Sequence, residues 1–214
     1  MVSIADVCET HPMIDDWKLD LLSPFLRNGV VDPRLQRALG ISPDTRYEGH
    51  FEKVLDRDEN TAFDFYMQAE SGRKVFFDLK LAETGFGSCV DDERHRQELE
   101  RHYRPLLQER VDGKWLEPAT FFANFGVLSK LSYLGRYADS GVLFIFSRAN
   151  KQLTDAEVAI KQIVSKSLAP RLAIFYLDYL LERILVAVGD DEALRRHFRA
   201  FQEKYVSGRS PPGP

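Results

Sequence analysis

A chain of 214 residues with 44% hydrophobic content can build a real core, and its length favours one domain, here spanning 1–206. The formal charge of −4 argues against a protein that coats nucleic acid or anionic membrane by bulk electrostatics, so any polyanion site must be local. Only two cysteines occur; Cys8 and Cys89 stand far apart and outside any CxxC pair, which suggests neither a disulfide framework nor a zinc ribbon and favours a reducing interior. The N-terminus, MVSIADVCETHPMIDDW, lacks a basic n-region and an apolar h-region, and no run approaches the ~18 apolar residues of a membrane span. A cytoplasmic protein with no membrane partner is expected.

Residues 12–27, PMIDDWKLDLLSPFLR, put Met13, Trp17, Leu21 and Phe25 at helical spacing, and the helix is expected to end before Gly29, with Pro24 straining it. VDPRLQRALG predicts a short second helix, with Pro33 early and Gly40 at its stop. Tyr47–Val54 predicts a strand, followed by the turn DRDEN at 56–60. Two runs rich in Phe, Tyr, Val and Leu, 62–69 and 73–81, then flank a Ser-Gly turn and predict a β-hairpin. Residues 91–105 start with acids and carry late basic residues, which suits a helix macrodipole; their polar faces predict a solvated helix. In 118–137, Phe121, Phe122, Phe125, Leu128, Leu131 and Leu134 recur at three- and four-residue steps and predict a core helix. The apolar runs 141–147 and 171–177 predict strands buried on both faces. The helix between them, with a capping-box spacing at Thr154 and Glu157, makes the unit a parallel βαβ crossover. Closing helices are expected over 178–188 and 190–205, and a disordered tail over 207–214. The order describes a mixed α/β domain in which a hairpin feeds a partly parallel sheet.

Charges inside apolar strands cost free energy unless something compensates them, so Asp64, Asp78 and Lys80 call for an explanation. A two-residue loop at Ser71-Gly72 would put Asp64 and Asp78 on opposite faces. A three-residue loop, Glu70-Ser71-Gly72, pairs Ala69 with Arg73 and sets Asp64 opposite Asp78; Gly at the third loop position favours this version. In that register Asp64, Tyr66, Phe76, Asp78 and Lys80 share one face. Phe63, Phe65, Met67, Val75, Phe77 and Leu79 share the other, expected to be the core side. Opposed carboxylates repel unless a proton or cation lies between them. A hard cation such as Mg²⁺, held by one or two carboxylates plus waters and phosphate oxygens, suits such a pair. The residues alone also allow a bland alternative, with Asp78 and Lys80 on a solvated strand edge.

Asp64, followed after a 13-residue gap by 78-DLK-80 in an apolar strand, resembles the PD-(D/E)xK signature of the restriction-endonuclease-like nuclease superfamily. The order of elements is similar to that superfamily's αβββαβ core. WKLDLLSPFL, FEKVL before the hairpin, KLAETGFG after it and DEALRRHFRAFQEKY near the end extend the resemblance, to a bacterial restriction-endonuclease-like group, across most of residues 12–205. It implies that Asp64 and Asp78 are metal ligands, the Leu79 carbonyl a third and Lys80 the catalytic lysine, with Glu52 matching an upstream acid that some members add. Phe63 stands where the name-giving motif has Pro, and Asp78 replaces the commoner Glu. The implied activity is Mg²⁺-dependent hydrolysis of DNA phosphodiesters, with Mn²⁺ substituting. The implied partner is DNA; the oligomeric state is open, a homodimer being one possible state.

A local basic rim of Lys74, Lys130 and Arg136 is expected to meet DNA, and a polar residue from the helix of Lys130 often joins the active site in that superfamily. Arg94, Arg96, Arg101 and Arg104 are interleaved with acids and read as a solvated face. His95 and His102 lack metal-ligand spacing and are expected to be solvated. Glu83 is expected to cap its own turn, and Gly85-Phe86-Gly87 to form a flexible loop. Two rivals stand beside the nuclease. One is a catalytically inactive protein of the same fold that binds DNA or protein. The other is a small-molecule α/β enzyme with a closed pocket at the ends of 141–147 and 171–177.

Overall fold

The computed structural model describes residues 16–54, 62–83 and 85–206, without the side chains of 52–54, 62, 155 and 156. The expected turn at 56–60 and the tail at 207–214 lie outside the described residues.

The first described helix, α1 (Asp16–Leu22), gives way to a 3-10 turn at Ser23–Phe25, because Pro24 has no N–H to continue the α ladder. The single helix expected through residue 27 therefore stops early. The chain turns instead into a short hairpin, β1 (Leu26–Arg27) and β2 (Val30–Val31). Helix α2 (Pro33–Leu39) follows as expected, with Asp32 accepting from the Arg34 N–H at its start and Gly40 at its stop. Three strands come next: β3 (Tyr47–Val54), β4 (Ala62–Ala69) and β5 (Lys74–Lys80). The β4–β5 turn has the three-residue form: the Ala69 N–H donates to the Arg73 carbonyl at 2.9 Å, and the Gly72 N–H to the Ala69 carbonyl at 2.9 Å. Gly72 sits at φ +90°, where a side chain would be strained.

Beyond β5 come α3 (Glu93–Glu98), a π turn (Leu99–Tyr103) and α4 (Arg104–Leu107). This segment is not the solvated helix expected. His95, Leu99, Tyr103 and Leu107 are buried, and their four-residue spacing is a narrow stripe that the surrounding charges obscure. The core helix expected at 118–137 is two helices, α5 (Pro118–Ala123) and α6 (Phe125–Arg136), broken at Asn124. Strand β6 (Ser140–Phe146), helix α7 (Lys151–Ile163), strand β7 (Leu172–Tyr176) and helices α8 (Leu177–Ala187) and α9 (Glu192–Tyr205) complete the described chain. Helix α7 starts earlier than the Thr154–Glu157 spacing suggests, capped by the Asn150 side chain accepting from the Leu153 N–H.

The seven described strands form one mixed sheet in sequence order. Neighbours from β1 to β5 are antiparallel, and β5, β6 and β7 are parallel. Helices cover both faces. Tyr66, Phe76, Phe144 and Phe146 pack against α6 and α7; Phe65, Phe77, Leu79 and Ile145 pack against α1, α2, α8 and α9. The expectation of one core side to the hairpin is thus corrected: both faces are core, as the buried runs of β5 and β6 require. Phe63 also changes sides, stacking on Phe76 at 4.7 Å between ring centroids.

The loop expected to be flexible is anchored. Phe86 packs its ring edge-on to Phe144 and Phe146, the Gly126 N–H donates to the Gly87 carbonyl at 3.0 Å and the Cys89 N–H to the Phe122 carbonyl at 2.9 Å. Gly126 permits this contact, since a Cβ there would lie 1.5 Å from the Phe86 carbonyl oxygen. Cys89 is disulfide-bonded, although the cysteine spacing suggested no disulfide framework; the other cysteine, Cys8, lies outside the described residues.

Candidate active site

The site forms where the hairpin opens. The Ala69–Arg73 bond and the alternation of an antiparallel ladder make Phe65 and Phe77 a hydrogen-bonded pair. One step on, regular pairing would hand the Leu79 N–H to the carbonyl of residue 63. The Asp64 carboxylate intercepts it instead, with Oδ2 2.6 Å from the Leu79 nitrogen. The β4–β5 ladder ends at Phe65–Phe77, which accompanies the change of side at Phe63. The N–H and C=O of one residue point to the same flank of a strand, so the Leu79 carbonyl is directed toward the β4 side, where Asp64 stands.

Asp78 lies two residues beyond Phe76 on the face covered by α6 and is 2% exposed. Lys80 Nζ is 3.4 Å from Asp78 Oδ1. Lys130 comes from α6, is 4% exposed, and sets its ammonium 5.1 Å from the centroid of the Phe63 ring. From the opposite layer α1 supplies Lys18, 2% exposed, whose Nζ is 2.7 Å from Asp64 Oδ1. Three ammonium groups therefore surround two carboxylates.

The carboxylates are pushed apart electrostatically. Burial raises the Asp64 carboxyl and the neighbouring Asp78 charge raises it further, against the opposing pull of Lys18 and Lys80. Burial would raise Asp78 as well, but Lys80 and then Lys130 hold it below the usual carboxylate range. Two like charges sharing a dry site cannot both ionise at their ordinary values.

The donor set fits a hard divalent cation, because it consists of oxygen atoms and because Asp78 Oδ2 is buried with no hydrogen-bond partner. Among the described residues no three His, Cys, Asp or Glu side chains converge. Glu52 belongs to β3, where the pairs Phe51–Phe65 and Lys53–Phe63 bracket it across from Asp64; its side chain lies outside the described residues.

Of the expected basic rim, only Lys130 reaches this centre. Lys74 begins β5 while Lys80 ends it, roughly 20 Å away at strand spacing, and its ammonium sits over the Tyr137 ring. Arg136 closes α6 beside Tyr133, at the same far end. Glu83 behaves as expected, its Oε2 accepting from the Leu81 and Ala82 N–H groups. His95 is buried rather than solvated, packed against Phe122. Lys18 was not anticipated. Its signal is present in 17-WKLDLL-22, where it stands three and four residues before the buried Leu21 and Leu22, on the apolar stripe of the helix.

A family model described as restriction endonuclease associating with ARP matches residues 11–206. The chain belongs to that family. As a member of it, the protein is a PD-(D/E)xK-related domain, and its seven-stranded mixed sheet flanked by helices is consistent with a restriction-endonuclease-like core. No curated protein and no solved structure matches the chain.

Proposed function

We propose that the protein is a metal-dependent nuclease that hydrolyses DNA phosphodiester bonds at the Asp64, Asp78 and Lys80 site. The observation that carries this reading is the interception at the opened ladder. Asp64 leaves the pattern of its strand to bind the Leu79 N–H, which gathers it with Asp78 and three lysines. A merely solvated strand edge gives no reason for this, since Asp78, Lys18 and Lys130 are all buried.

Asp64, Asp78 and the Leu79 carbonyl would hold the cation, with Glu52 as the acid bracketed across from Asp64. When bound, Mg²⁺ or Mn²⁺ lowers the pKa of a coordinated water and polarises the phosphate. The chain's own part is electrostatic positioning. Lys80, partly exposed beside Asp78, meets charge developing on the phosphate, and Lys130 reinforces it from α6. The hydrophobic layers behind Asp78 keep that charge in a low dielectric, where each interaction counts for more.

Incubating plasmid and linear DNA with Mg²⁺ or Mn²⁺, beside a Lys80→Ala control, tests this proposal. Cleavage that requires the metal and collapses in the control is the expected result. Binding of DNA or protein without cleavage under any divalent cation would overturn the nuclease and favour the inactive member of the same fold.

A further inference from the structure

A cleft of about 450 Å³ adjoins the candidate site and has no part in the chemistry described so far. It lies between the loop after β5, the junction of α5 and α6, and the first turns of α7, where Glu83, Phe86, Ser88, Asn124, Val127 and Gln152 line it. Two elements carry it directly beside the centre. Glu83 stands three residues past Lys80, where β5 ends; Val127 precedes Lys130 by three residues on α6, about 4.5 Å along the helix axis and on the same side of it. The walls are fixed. Asn150 Nδ2 donates to the Glu83 carbonyl at 2.7 Å, tying the start of α7 to the loop, while the Gly87 carbonyl and the Cys89 N–H are bonded to α6 and α5. A cleft of this size between fixed walls falls in the range of ligand pockets, roughly 300–1,000 Å³.

We infer that this cleft takes one unstacked nucleobase beside the scissile phosphate and selects a base with an exocyclic amine next to a ring nitrogen, adenine or cytosine. This rests on the nuclease reading above and deepens it. None of the described residues lining the cleft is basic, and the Glu83 carboxylate is engaged by the Leu81 and Ala82 N–H groups. The cleft therefore suits the neutral part of a nucleotide and not its phosphate. Phe86 and Val127 offer apolar surface to a flat ring, and side-chain amides match the paired donors and acceptors of base edges. Asn124 spends its Nδ2 on the Thr120 carbonyl at 2.9 Å, which leaves Oδ1, an acceptor, for the amine of a ligand. Gln152, exposed at the start of α7, supplies the N–H for the ring nitrogen. Its amide can turn over, whereas Asn124 is held and sets the choice. Thymine, with a carbonyl where cytosine has its amine, would put acceptor against acceptor. A base enters such a cleft only after leaving its stack, which costs least in a single strand.

Fluorescence anisotropy of the full chain with short labelled single strands of dC and of dT, and with a mixed-sequence duplex, tests the inference in Ca²⁺ and in EDTA without any cleavage assay. The two pyrimidines are alike in size, so a difference between them reports the base edge. The wild type is expected to bind the dC strand roughly tenfold more tightly than the dT strand. Asn124→Ala is expected to bind both as the wild type binds dT. Ser88→Trp, which fills the cleft from an exposed loop position, is expected to lose the preference as well. Equal binding of the two strands by the wild type, a preference for dT, or a dC preference that survives Ser88→Trp would overturn the inference and leave the nuclease reading standing. So would binding confined to the duplex. Binding of no DNA at all would overturn both readings. If Asn124→Ala does not fold, the wild type and Ser88→Trp still decide.

Discussion

Asp78 and Lys80 are two residues apart on one strand and 3.4 Å apart at their charged ends, yet their loss should differ in kind. Asp78→Asn removes a ligand charge and leaves a near-isosteric side chain. Metal affinity is expected to fall, with partial recovery of cleavage at high Mn²⁺. Lys80→Ala leaves both carboxylates in place and removes a cation beside them, so Mn²⁺ binding is expected to persist or strengthen. Cleavage is expected to drop by ~10²–10³, the usual worth of one positioned electrostatic group. Calorimetry of Mn²⁺ binding beside plasmid cleavage separates the two effects. A Lys80→Ala protein that cleaves at the wild-type rate would reduce Lys80 to a surface partner of Asp78.

At the scale of elements, two contacts hold the helical layers in place around the sheet. The first is the seat of the 85–89 loop on α6. Gly126→Ala would drive a Cβ to 1.5 Å from the Phe86 carbonyl, forcing the loop off its seat. A loss of about 1–3 kcal/mol, typical of overpacking, is expected in urea melts. The second is the bridge between the starts of α2 and α9. Asp32 and Asp191 each cap a helix, and Arg34 reaches both, at 2.7 Å in each case. For Asp32, burial opposes ionisation but hydrogen bonds from Arg34 outweigh it; for Asp191 the Arg34 hydrogen bond is the leading cause; both carboxyls lie below the ordinary 3.8. A carboxyl depressed in the folded state contributes stability above its unfolded value and loses it as pH falls through the folded one. Arg34→Ala should therefore melt lower than wild type by an amount that stays constant from pH 5 to 8, roughly, and shrinks below about 3.8. A gap that widens on acidification would contradict this bridge.

The whole molecule carries a formal charge of −4, while its candidate centre gathers Lys18, Lys80 and Lys130 around two acids. On the nuclease reading proposed above, DNA affinity would come from this local focus of lysines and not from a broad basic face. Lys74 and Arg136 sit at the other end of the sheet and add little to that focus. Binding is expected to weaken with salt with a log–log slope of roughly −2, the mark of a few phosphate contacts. Fluorescence anisotropy across a salt series measures it. No dependence on salt would point to a protein partner in place of DNA.

Composition and periodicity alone determined most of the element types here. Strands at 141–147 and 171–177 and the parallel crossover follow from apolar runs of strand length, and Gly72 selected the hairpin loop through its backbone freedom. The 64/78/80 triplet was legible for the same reason, since register follows from the turn. Tertiary structure decided what such local rules do not encode. That Asp64 would replace a ladder carbonyl depends on how β4 parts from β5. That Lys18 would reach Asp64 depends on α1 crossing the sheet 46 residues away in sequence. Likewise, the break at Asn124 and the buried stripe from His95 to Leu107 exist because other segments pack there. Burial of a polar or charged side chain is a property of its neighbours in space, and sequence spacing carries it only where one element supplies them all.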